Sequence, residues 1–581
     1  MSDVGWLEPP ALEGAGARFF TPVADSPAGY ASPYIRDNLS PALMRWIRRV
    51  GPVLTLAVAA ASCRRTDAAH EPADYAPARF SDSARVTRLS AALPGIDSLF
   101  NAFARNGRVP GIAYGVLIDG QLVHTGTAGM RDLANNAPVD SASVFRIASM
   151  TKSFTALSIL KLRDERKLAL DDPAERYIPE LAGLAFPTTD SPRLTIRHLL
   201  SHAGGFPEDN PWGDQQLNRT DDEMGAMIRG GIPFSNPPGI AYEYSNYGFA
   251  ILGRIVARVS GQPYATYVRG NILTPLGMSS TTMEAAQVAP DRLAHGYRWE
   301  DERWKEEPPL PDGAFGAMGG MLTSIHDLGR WVGFLMSAWP PRSDPEEGPV
   351  RRASVREMQE LWRSRPSRVT ATGGDSVIEL SSGGYGFGLG ITQNCDFGHV
   401  VAHSGGLPGY GSQMRWLPDY GVGIIALGNL TYTGWGGVIT QALEALSRTG
   451  ALQPREPSPS AALTSARDAV SRLVVSWNDQ LADSVAAMNL YLDESKDRRQ
   501  RAIAALLTEV GSCRNDEPFA VENALRGQWM MTCDRGALRV SITLAPTVPP
   551  RVQYLAVRRA APGETLAAPA ACLSRTDRFK P

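Results

Sequence analysis

The sequence predicts an α+β protein: an antiparallel sheet flanked by helices, followed by a small C-terminal α+β domain. Three observations carry this. A helical segment (residues 86–105) is followed by two strand-like runs, 111–118 and 121–126, joined by Asp119-Gly120, and then by a long apolar helix that starts near Ser149. Helix, hairpin, helix is the order of an antiparallel sheet packed on helices, not of a parallel βαβ array. A second group of glycine-punctuated runs at 384–391, 400–406, 409–416 and 421–429 continues the sheet, and a helix at 438–446 closes it. Finally, composition changes after Arg448: residues 453–460 read as a Pro/Ser-rich linker, and helices (465–481, 496–510) then strands (528–532, 538–544, 552–557) follow.

A chain of 581 residues has room for two or three domains. Its 43 % hydrophobic and 20 % charged residues are those of an ordinary globular protein, and a net charge of −2 gives no reason to expect a nucleic-acid partner. Residues 44–63 differ. Met44-Arg45-Trp46-Ile47-Arg48-Arg49 is basic, residues 50–61 are apolar and small, and Ala60-Ala61-Ser62-Cys63 ends the stretch. That is the pattern of a secretory signal peptide, too short for a membrane span. Translation is expected to begin at Met44, leaving residues 1–43 as an over-extension or a disordered tail. Cys63 resembles a lipobox cysteine, although Ala60 stands where leucine is usual; a lipid anchor there is the expected membrane link. Residues 64–85 read as a tether. Export permits disulfides, and Cys513 and Cys533, in one C-terminal segment, form the expected pair, with Cys395 and Cys572 unpaired.

Within the main domain the apolar face of the first helix is Ile96, Leu99, Phe100 and Phe103, with Pro94-Gly95 interrupting it. In the next helix Met150, Phe154, Leu157 and Leu160 recur at three- and four-residue steps. Ser149 stands at its start and Lys152 one turn on, so a lysine neutralised by burial could take the serine proton. The pattern recurs at Ser158-Ile159-Leu160-Lys161, mid-helix, where a serine is expected to bond a carbonyl one turn back. The chain holds only six lysines, which makes the Ser149 match less cheap. His198 and His202 are four apart, but Leu199 stands where a zinc protease has glutamate; both are given structural roles and no metal is expected. Tyr244 and Asn246 lie on a loop after Pro237-Pro238-Gly239, ahead of a helix at 250–259. Ser324 and Asp327 read as a helix cap, and residues 342–378 as a variable insertion with one helix at 355–362. Glycines at 405 and 406 suit a strand edge approached by a ligand. There is no Gly-x-Ser-x-Gly elbow and no dinucleotide fingerprint.

Ser149-x-x-Lys152, Tyr244-Ser245-Asn246 and His403-Ser404-Gly405 follow one another, their first residues 95 and 159 positions apart, at a helix start, a loop and a strand. In this arrangement residues 86–450 resemble the serine β-lactamase and penicillin-binding-protein superfamily, in particular its class C β-lactamase, D-Ala-D-Ala carboxypeptidase and family VIII esterase group. The Pro-Pro-Gly turn and Gly384-Tyr385-Gly386-Phe387-Gly388-Leu389-Gly390 belong to the resemblance. It implies a β-lactamase/transpeptidase-like sheet with an all-helical subdomain, and an exported serine hydrolase working without a cofactor through an acyl-enzyme on amide or ester bonds. By that resemblance Ser149 is the nucleophile and Lys152 and Tyr244 share the base role. Asn246 binds the acyl amide, His403 and Gly405 line the substrate site, and the backbone N–H groups of Ser149 and Gly406 form the oxyanion hole. The implied substrate is a small molecule or peptide, of peptidoglycan type or a small ester. β-Lactamases of the group usually carry lysine at the third box; His403, mostly neutral near pH 7, disfavours a β-lactam carboxylate. The competing reading is a lapsed enzyme that binds or senses cell-wall peptides. The C-terminal domain, 465–581, is expected to cover the cleft or dock a partner.

Overall fold

The computed structural model describes residues 75–372, 377–394, 396–515 and 518–566, without the side chains from 369 to 380. The signal-peptide stretch with Cys63, and Cys395 and Cys572, lie outside the described residues. Helix α1 (Leu93–Asn106) begins with Pro94 in its first turn, where the missing N–H costs nothing, so the proline opens this helix and does not break it. A separate short helix, Arg85–Ser90, precedes it. Strands β1 (Gly111–Ile118) and β2 (Gln121–Asp132) form the expected hairpin. Both turn residues, Asp119 and Gly120, have positive φ, which aspartate and glycine tolerate best.

The main sheet has nine antiparallel strands. With β3 (Ala137–Pro138), β4 (Arg363–Thr372), β5 (Val377–Tyr385), β6 (Gly390–Asn394), β7 (Val400–Leu407), β8 (Tyr410–Leu417) and β9 (Val422–Gly428), its order is β3-β2-β1-β9-β8-β7-β6-β5-β4. Buried on both faces, β1 divides its side chains between two cores. Ile112, Tyr114, Val116 and Ile118 pack with Ile96 and Phe100 of α1 and with helix α5 (Gly436–Arg448). Ala113 and Leu117 belong to the larger core on the other face, which includes helices α2 (Thr151–Asp164), α3 (Asn246–Ser260) and α4 (Ile325–Met336). Period-two alternation between two covered faces explains why β1 reads as one unbroken apolar run.

Three expectations are corrected. The stretch taken as a variable insertion holds a short helix (Arg352–Glu357) and then β4, so it extends the sheet. An edge strand rich in Arg and Ser has no apolar face to show in sequence, and such polarity blunts an exposed edge. The run 384–391 is two strands, because Gly388 (φ +69°) turns the chain under α2, where a Cβ would come within 2.6 Å of the Lys152 carbonyl. Nor are the described part of the tether and the linker free: Arg79 and Glu456 exchange backbone hydrogen bonds of 3.1 and 2.8 Å, and Arg455 lies over the Phe80 ring.

The C-terminal domain is α+β with its own core around Trp529, Met531 and Val540. Helix α6 (Ala461–Val475) is capped by Ser460, which starts it four residues before the expected 465, and α7 (Lys496–Val510) matches the expected segment. Strands β10 (Cys513–Arg514), β11 (Phe519–Asn523), β12 (Arg526–Cys533), β13 (Gly536–Leu544) and β14 (Val552–Arg559) form one sheet. Cys513 and Cys533 face each other in register and are joined by a disulfide bond. No helix among the described residues is long and apolar enough to cross a membrane.

Candidate active site

Ser149 sits in a 3₁₀ turn, Ala148–Met150, directly ahead of α2. Ala148 holds φ +48°, a conformation that costs a residue with a Cβ about 1–3 kcal/mol and persists only where its surroundings enforce it. Here they do. The strand Val144–Arg146 pairs with Leu322–Ser324, the Ile147 N–H donates to the Met321 carbonyl at 2.9 Å, and Ser412 Oγ donates to the Ile147 carbonyl at 2.8 Å. Thr151 Oγ1 closes the turn by donating to the Ala148 carbonyl at 2.7 Å. The serine is thereby fixed at the mouth of α2, 8 % exposed.

Lys152 is fully buried. Its Nζ lies 3.0 Å from Ser149 Oγ, 2.6 Å from Asn246 Oδ1 and 2.8 Å from the Met318 carbonyl. The last two can only accept, so they use two N–H bonds, and the third position of the amine points at the serine hydroxyl. Burial pulls the lysine down from 10.5 to about 7, against the carboxylates of Asp209, Asp214 and Glu208, which favour its charged form. Tyr244 is half-buried and lines the same cavity as Ser149, and burial lifts its phenol well above 10, so it remains protonated at neutral pH. Its ring lies tilted against His202, the centroids 4.3 Å apart, and Lys152 Nζ lies 4.8 Å from its centroid.

Ser149, Tyr244, His403 and Gly406 line one cavity of about 470 Å³. In β7, strand partners from β6 end at the Gly390↔Ala402 pair, so the edge from His403 onward faces the Ser149 turn. His403 is neutral: Nδ1 donates to the Ser404 carbonyl at 2.6 Å, Nε2 accepts from Tyr385 Oη at 2.7 Å, and burial, helped by Lys152, lowers it to about 3. Its ring offers a substrate no positive charge.

A family model described as Beta-lactamase matches residues 96–447, more than half of the chain. The chain belongs to the beta-lactamase family. It is 27 % identical over 323 residues to penicillin-binding protein 4* of Bacillus subtilis (strain 168), covering 53 % of this chain and 66 % of that protein. It is 26 % identical over 338 residues to protein flp of Staphylococcus aureus (strain NCTC 8325 / PS 47), covering 58 % and 62 %. The chain thus spans less than two thirds of these relatives' lengths. The structure of the octameric penicillin-binding protein homologue from Pyrococcus abyssi has the same fold, with a TM-score of 0.52, 22 % identity, and 78 % of this chain and 90 % of that one covered.

Not every residue suggested by the family pattern faces the cavity. Asn246 is fully buried, with Oδ1 on Lys152 and Nδ2 donating to Asn210 Oδ1 at 2.6 Å; it is Asn210 that lines the cavity. The helix bearing Asn246 also begins earlier than expected, because Ser245 caps it and the Asp209 carboxylate accepts from the Asn246 and Tyr247 N–H groups at 2.7 and 2.8 Å. Gly405 is approached by protein, not ligand: a Cβ there would lie 2.1 Å from the Ile147 carbonyl. His202 Nδ1 accepts from the Ser245 N–H at 3.0 Å and His198 closes a capping box with Thr195, so the backbone engages one ring nitrogen of each histidine. Ser158, the second Ser-x-x-Lys serine, donates to the Phe154 carbonyl at 2.8 Å, one turn back.

The sequence reading missed Asn210 and Asp214, which line the cavity from one loop, Tyr432, whose hydroxyl donates to Asp214 at 2.8 Å, and Arg365 on β4. None carries a local signature. They converge only once the sheet and the helical part have folded. No described residue of the C-terminal domain lines the cavity.

Proposed function

We propose that the protein is an exported serine hydrolase that cleaves an amide or ester bond through an acyl-enzyme, on a D-Ala-D-Ala-type peptide or a small ester in preference to a β-lactam. The observation that carries this is the three-point seat of Lys152: two obligate acceptors hold the amine while burial makes it a base near neutral pH, next to the only serine of the motif that lines the cavity.

In this reading Ser149 Oγ attacks the substrate carbonyl and its proton passes to Lys152 Nζ. Negative charge on the carbonyl oxygen faces the N–H groups of Ser149 and Gly406, each such donor worth about 3 kcal/mol. As the tetrahedral intermediate collapses, Tyr244 gives its phenolic proton to the departing amine or alcohol and regains one from Lys152. Water then attacks the acyl-serine, the neutral lysine taking its proton and handing it to Ser149 Oγ as the Oγ–acyl bond breaks and the carboxylic acid leaves. A phenol held far above pH 7 suits a proton donor and not a resting base, which divides the roles between Tyr244 and Lys152. Export rests on the signal-like residues 44–63.

Turnover and intact mass of wild type and Ser149→Ala test this, with a p-nitrophenyl ester, a D-Ala-D-Ala peptide and a penicillin. Ester or peptide turnover that vanishes in the variant is expected. Penicillin turnover faster than either would overturn the inference from His403. Acylation without turnover would indicate a sensor, and neither turnover nor adduct a binding protein.

A further inference from the structure

Of the residues lining the cavity, two carry charge, Asp214 and Arg365. Lys152 is sealed beneath the floor, and His403 is neutral with both ring nitrogens engaged. Arg365 therefore supplies the cationic side chain on this wall, and it comes from a part of the chain that none of the three sequence boxes includes. We propose that Arg365 is a specificity residue that holds a carboxylate on the leaving group of the substrate, the role a neutral His403 cannot fill; this rests on the serine-hydrolase reading above.

Four features support it. First, Arg365 precedes a register shift in the β4–β5 pairing, between Arg365 and Arg368, where Pro366 cannot donate to the ladder. Second, the guanidinium carbon lies 4.7 Å from the Tyr242 ring centroid, a cation–π contact that steadies the group while leaving its N–H donors free. Among the described residues no carboxylate or carbonyl pairs with those donors, whereas Arg197 of the same domain is paired with Asp171. Third, Arg365 is opposite Gly383, and Gly383 is opposite Thr392, so a residue without a side chain separates the arginine from a cavity-lining hydroxyl. Fourth, Tyr242 is two residues from Tyr244, and both line the cavity. The group that receives its proton from Tyr244 departs on that side, where a planar fork of donors can take both carboxylate oxygens.

The test uses two aryl esters with the same acyl group, one leaving as 3-hydroxybenzoate and one as phenol, assayed with wild type, Arg365→Gln and Arg365→Lys. In wild type kcat/KM is expected to favour the carboxylated ester by about tenfold or more, beyond the ratio of their hydroxide-catalysed rates, the scale of a charged hydrogen bond. Arg365→Gln should remove that preference, mainly through KM. Arg365→Lys should restore part of it, since it keeps the charge and loses the fork. Added salt should raise KM for the carboxylated ester alone in wild type. A preference that survives Arg365→Gln, or an equal loss on both esters, overturns the proposal while leaving the hydrolase reading intact. If wild type turns over neither ester and no adduct forms at Ser149, the hydrolase reading fails and the carboxylate site falls with it.

Discussion

If Lys152 is the base, the rate should fall as that one amine becomes protonated. With an unshifted pKa of 10.5, about one lysine in 3,000 is neutral at pH 7; at about 7, roughly half are, so burial raises the supply of base more than a thousandfold. The assay is kcat/KM for an aryl ester between pH 5 and 9, which reports the free enzyme. An acid limb of unit slope centred near pH 7 is expected, with activity present above it and lost below. Two variants locate the limb. Lys152→Ala should lower kcat/KM by about 10²–10⁴ across the range. Asp214→Asn removes a carboxylate that favours the ammonium form, so the limb should move to lower pH. The same burial leaves a signature in stability. Between pH 7 and 10.5 the unfolded chain binds a proton at this lysine that the folded chain does not, so the folded state gains stability as pH rises. The gain is about 5 kcal/mol for a shift of this size. Lys152→Met lacks that gain, and its stability relative to wild type should decline from pH 7 to 10. A limb near pH 4–5 that ignores Asp214 would refute the reasoning and point to a carboxylate base.

Gly405→Ala should slow acylation and lower thermal stability by about 1–3 kcal/mol, because its Cβ would push the Ile147 carbonyl and with it the Ser149 turn. Unaltered unfolding and acylation in that variant would show that the strand and turn are not in contact as described. Cys513→Ser opens a bridge between residues 20 apart and should destabilise the C-terminal domain by about 3 kcal/mol, read by denaturant unfolding with and without reductant. Ester turnover in the folded variant should hold, since no described residue of that domain lines the cavity.

The three boxes were legible because each carries a local constraint: a serine and lysine one helical turn apart, a rigid Pro-Pro-Gly turn before Tyr244, a glycine after His403. The β1–β2 hairpin was legible for the same reason, since Asp119-Gly120 suits a tight turn between two strand-like runs. What misled was polarity at an edge. Arg363–Thr372 shows no apolar face because it pairs on one side only, and so its cavity arginine was set aside with an insertion.

The sequence by itself determined that Ser149 and Lys152 stand one turn apart at a helix start, and the order of elements that brings both to one sheet, because these depend on spacing along a single helix and on turns a few residues long. It also determined that the third box would lack a fixed charge. Only the tertiary structure decided how the groups act. The Lys152 amine is lowered toward neutral pH because the folded chain excludes water from it, and Asn246 turns inward because the Asp209 loop reaches its helix start. Arg365 reaches the cavity because β4 completes the sheet edge. Burial and convergence arise between segments far apart in the chain, and no local pattern encodes them.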